Sequence, residues 1–145
     1  MKSVNEAIED VYKAFANVSK PRIIGGCPCC IDGKEVDKLL VSDLRDVPAG
    51  DLSSYASSAF LTVGSVKDYL YFLPRILEIS ATDESWWPDP EVTGRAIRTS
   101  EPFKWTDIQL TALKNFLGAV LDTVIESANS HLIDTWMCVR LVGWN

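Results

Sequence analysis

Residues 66–80 read VKDYLYFLPRILEIS, and the periodicity of this run sets the fold. Its apolar positions recur at helical spacing, and few positions carry charge. The run predicts an apolar helix over roughly 66–79, with Gly64 breaking the chain before it and Ser65 placed to cap it. Pro74 lies inside. A proline there removes one backbone donor and crowds the carbonyl four residues back, so either the helix bends or two short helices abut.

The same period extends outward in both directions. Val4, Ala7, Ile8, Val11, Phe15 and Val18 form one stripe, and Ser3 with Glu6 has capping-box spacing. Helix is expected over roughly 4–18, ended by Pro21. Residues 20–33 make a connection with a sharp turn at Gly25-Gly26. Short helices are expected over roughly 34–42 and 52–62, the second capped by Asp51 after the linker DVPAGD. Beyond the loop ATDESWWPDPE, Pro90 suits the first turn of a helix over roughly 90–98. Thr106 with Gln109 repeats the capping-box spacing. It opens the longest helix, roughly 107–126, whose stripe is Leu110, Leu113, Phe116, Leu117, Val120, Leu121 and Val124. Ser130 can cap a last helix over roughly 131–141. No alternating run with hairpin signals appears. The expected architecture is all-α: a single compact domain spanning 1–145, of six to seven helices, with the proline-containing helix central.

Bulk properties bound the function. The chain has 145 residues, of which 47% are hydrophobic and 23% charged, enough to bury a core. The formal charge is −6. An acidic surface repels nucleic acid and anionic lipid, so neither is an expected partner, whereas a basic protein is compatible. The first twenty residues lack the apolar core of a signal peptide, and Asp122 interrupts the longest apolar stretch. A cytoplasmic protein with reduced thiols is expected.

Three of the four cysteines, Cys27, Cys29 and Cys30, fall within IIGGCPCCIDG, residues 23–33. Cys27 and Cys30 form a C-x-x-C pair ahead of a helical stretch, where the free backbone N–H groups would lower a thiol pKa. A thioredoxin-like exchange centre needs a central sheet, and no strands are available to build one. Zinc needs four tetrahedral ligands. The remaining sulfur and imidazole, Cys138 and His131, stand about two helical turns apart, too far to serve one ion together. A zinc site would therefore combine the cluster with one of them. Alternatively, small thiols simply fill a crowded turn. His131 has no nucleophile placed near it by sequence.

Asp83, Glu84 and Asp89 surround Trp86 and Trp87. Acids beside aromatics resemble a glycosidase pair, but a proline-rich loop lacks the rigid strand ends such catalysts use. Neither VGS nor IGG has the lysine and spacing of a phosphate-binding loop. Arg75, in an otherwise apolar helix, needs a carboxylate such as Glu78, or else contacts a ligand. Tyr69, Phe72 and Arg75 could together line a small-molecule pocket. Five tryptophans in this chain are a binding signal, because indoles anchor interfaces.

The ordered segments GCPCC, YASSAFLTVGSVKDYLYFLPRILEI, WWPDPEV and KWTDIQLTALKNFL resemble a family of bacterial hypothetical proteins, across roughly residues 21–120. The resemblance implies that the cysteine, proline-arginine and tryptophan segments belong to one fold, and it carries no catalytic residues. The end, SHLIDTWMCVRLVGWN, departs from that pattern. The expected function is non-enzymatic protein binding, with Trp86, Trp87, Asp83, Glu84 and Asp89 facing a basic partner. Its most concrete form is an immunity-type inhibitor of a toxin. No cofactor is expected on that reading. The alternative is a thiol-redox or zinc protein using Cys27, Cys29 and Cys30.

Overall fold

The computed structural model describes residues 3–22, 38–58, 65–83, 86, 88 and 90–126. Among them every regular element is helical. Five helices are α1 (Val4–Ala14), α2 (Ala49–Ser58), α3 (Val66–Thr82), α4 (Pro90–Thr99) and α5 (Asp107–Glu126), joined by a short helical piece at 38–41 and 3-10 turns at Leu44–Asp46 and Pro102–Lys104. No strand occurs among the described residues. The all-α class is thus observed. The expected helix over 131–141 lies outside the described residues. The described residues group into two compact units, one from Met1–Ala16 with Asp89–Asn145, the other from Asn17–Pro88.

In the first unit α1 packs along α5. The Ser3 hydroxyl accepts the Glu6 N–H at 3.2 Å and starts α1. Ala7, Ile8, Val11 and Tyr12 turn inward. The helix stops at Ala14, four residues short of the expected end. Phe15 leaves the spiral, and its buried ring meets Trp105 edge-to-face, with centroids 5.3 Å apart. That pairing buries more aromatic area than another turn of the polar stretch Ala16–Ser19 could. α5 starts with a complete capping box: Thr106 Oγ1 accepts the Gln109 N–H, and Gln109 Oε1 accepts the Thr106 N–H, both at 3.1 Å. Leu113, Phe116, Leu117 and Val120 form its buried face. By length and composition α5 could cross a membrane, with mean hydropathy 1.3 over an 18-residue window; half of that window is buried within the protein.

In the second unit α3 is one continuous helix through Pro74, running to Thr82 rather than 79. Ser65 Oγ accepts the Asp68 N–H and begins it. Ser80 and Thr82 hydroxyls bond back to the Leu77 and Glu78 carbonyls, and the Asp83 N–H closes the last turn on Ile79 O. These bonds hold the extra turn. Tyr69, Phe72, Leu73, Ile76 and Leu77 are buried, with Tyr55 of α2 against Phe72 at 5.1 Å. α2 begins at Ala49, not after Asp51. The Pro48 carbonyl accepts the Asp51 and Leu52 N–H groups, so Asp51 sits in the first turn, where its charge suits the helix dipole.

Candidate functional site

The apolar stripe of α5 faces the core, and Ile108 does not belong to it. From Ile108, steps of three, four and seven lead to Thr111, Ala112 and Asn115, which line an open groove of about 460 Å³ together with Asp107. α1 supplies the other wall through Asp10, Lys13 and Ala14. Ile108 stands 72% exposed, and Phe103, five residues earlier, stands 80% exposed. Lys104 Nζ lies 5.8 Å from the Phe103 ring centroid and pairs with the Glu101 carboxylate. Two acids, Asp10 and Asp107, and one cation, Lys13, line the groove, and Glu6 and Glu9 are exposed elsewhere on α1.

The residues singled out in the sequence are placed as follows. Asp83 is exposed and ends α3; its carbonyl accepts the Trp86 N–H at 3.2 Å, so the two residues share a turn. Trp86 is only partly exposed, and its indole N–H is buried with no hydrogen-bond partner among the described residues. Glu84, Trp87 and Asp89 lie outside the described residues, as do Cys27, Cys29, Cys30, Cys138 and His131. Among the described residues no group of His, Cys, Asp and Glu side chains is placed to hold a metal ion. Arg75 donates from Nη1 to Glu78 at 2.7 Å and from Nε to the Val47 carbonyl at 3.0 Å. Its fork thus serves an ion pair and ties the chain before α2 to α3. Tyr69 and Phe72 are packed in the core, so they do not open a pocket beside Arg75. Trp105 is likewise a core residue, its indole N–H bonded to Ser100 O at 3.3 Å.

The exposed pair Phe103 and Ile108 went unnoticed in the sequence. A signal was present: both are large apolar residues that match no helical stripe.

No family model matches the chain, and no curated protein or solved structure is similar to it.

Proposed function

We propose that this chain acts by binding another protein, and that the α1–α5 groove with Phe103 and Ile108 is the surface it uses. One observation carries the reading: two large apolar side chains stand mostly in solvent, Ile108 in the wall of an open groove and Phe103 in the turn just before α5. Water around such side chains is released when a partner covers them. The net charge of −6, with Asp10 and Asp107 at the groove, favours a basic partner and speeds its capture. An immunity-type inhibitor that occludes a basic toxin surface is the most specific form of this reading.

The test uses the partner captured from the native cell, with affinity then measured for defined variants. Ile108→Ser and Phe103→Ser should each weaken the complex by about 2 kcal/mol, the scale of an interface hot spot. Added salt should slow association. Unchanged affinity in both variants would reject this surface. Loss on Trp86→Ala with full binding by Ile108→Ser would move it to the other unit.

A further inference from the structure

The second unit carries an opposite feature. Lys20, Arg22 and Lys67 line one cavity of about 450 Å³, together with Ser19, Pro21 and Asp68. Three cations and one carboxylate leave the cavity positively charged within a chain that has 20 acidic against 14 basic residues. Gathering like charges costs free energy unless something offsets it. Lys20 is held in place, its ammonium donating to Ser42 O at 3.1 Å. Arg22 and Lys67 are exposed and have no carboxylate partner among the described residues. Lys67 also occupies the first turn of α3, a helix of 17 residues. There the Ser65 hydroxyl takes the Asp68 N–H, and the Val66 and Lys67 N–H groups have no acceptor among the described residues. Three cations therefore meet at one opening beside the start of α3.

We propose that this cavity binds a small molecule bearing a phosphate group. Arg22 would grip two of the phosphate oxygens with its planar fork, while Lys20 and Lys67 supply point charges and the start of α3 supplies N–H donors. Asp68 would accept a hydroxyl of the same ligand. The volume suits a small metabolite. A polyanion is disfavoured by the charge of the whole chain, and a phosphorylated small molecule pays far less of that repulsion.

Calorimetric titration of the full chain tests this with inorganic phosphate, pyrophosphate and glycerol phosphate. Saturable binding at one site is expected, and tighter binding of glycerol phosphate than of inorganic phosphate would mark the ligand as an ester. Lys67→Met and Arg22→Met should each weaken binding about tenfold, whereas Lys38→Met should leave it unchanged. All three side chains are exposed, so the variants should fold, which circular dichroism checks. No saturable binding of any probe below about 10 mM would overturn the proposal. So would variants that bind like wild type, or citrate binding more tightly than all three phosphates.

Discussion

Glu101 is the one described residue besides glycine with a left-handed backbone, at φ 60°. It turns the chain between α4 and the Pro102–Lys104 turn. A side chain in that region costs about 1 kcal/mol. Its ion pair with Lys104 is largely exposed and returns little. Glu101→Gly should therefore raise the thermal midpoint, by the equivalent of about 1 kcal/mol. Tyr55 shows a second residue-scale tension, a buried hydroxyl without a partner among the described residues. Tyr55→Phe should be neutral or stabilising by about 1 kcal/mol in chemical denaturation. A marked loss would mean that the hydroxyl is satisfied by water. Neither tension could be seen in the sequence, because glutamate and tyrosine are ordinary choices until a backbone angle and a burial are known.

At the scale of elements, the helix starts were the most legible part of the chain. Thr106 and Gln109 close both bonds of a capping box, and α5 runs over the interval its stripe predicts. Thr106→Ala should cost about 1 kcal/mol in thermal unfolding, the usual worth of a cap. Ends were less legible. α3 gains a turn from side-chain bonds at Ser80 and Thr82, and α1 loses one to the Phe15–Trp105 contact. The first depends on local hydrogen bonds that compete closely with fraying, the second on a residue ninety positions away. Arg75 links elements directly, from α3 to the Val47 carbonyl. Arg75→Met should destabilise the protein by about 1–2 kcal/mol, because it removes the bond to that carbonyl and the ion pair with Glu78. Arg75→Lys should recover only part of this, since an ammonium cannot imitate the fork.

For the whole molecule, the buried phenols set the response to alkali. Burial raises the pKa of Tyr55 and Tyr69 above the ordinary value of 10, the Asp68 charge adding to the effect at Tyr55. The folded state thus keeps both protons where the unfolded chain would lose them. Stability is fully present below about pH 10 and falls as pH rises beyond it. Denaturation midpoints between about pH 8 and 11 should show this decline, and Tyr55→Phe should flatten it. A flat profile in the wild type would mean that the phenols are hydrated. The sequence by itself determined the helical class and the starts of the helices opened by Ser3, Ser65 and Thr106, because these depend on periodicity and capping over a few residues; the start of α2 at Ala49 it did not. It also gave the acidic balance that favours a basic partner. Only the tertiary structure decided which apolar residues stay in water and which cations share a cavity. Phe103 and Ile108, or Lys20, Arg22 and Lys67, acquire meaning only when distant segments pack, since exposure and electrostatic potential are properties of the folded surface and not of any local stretch.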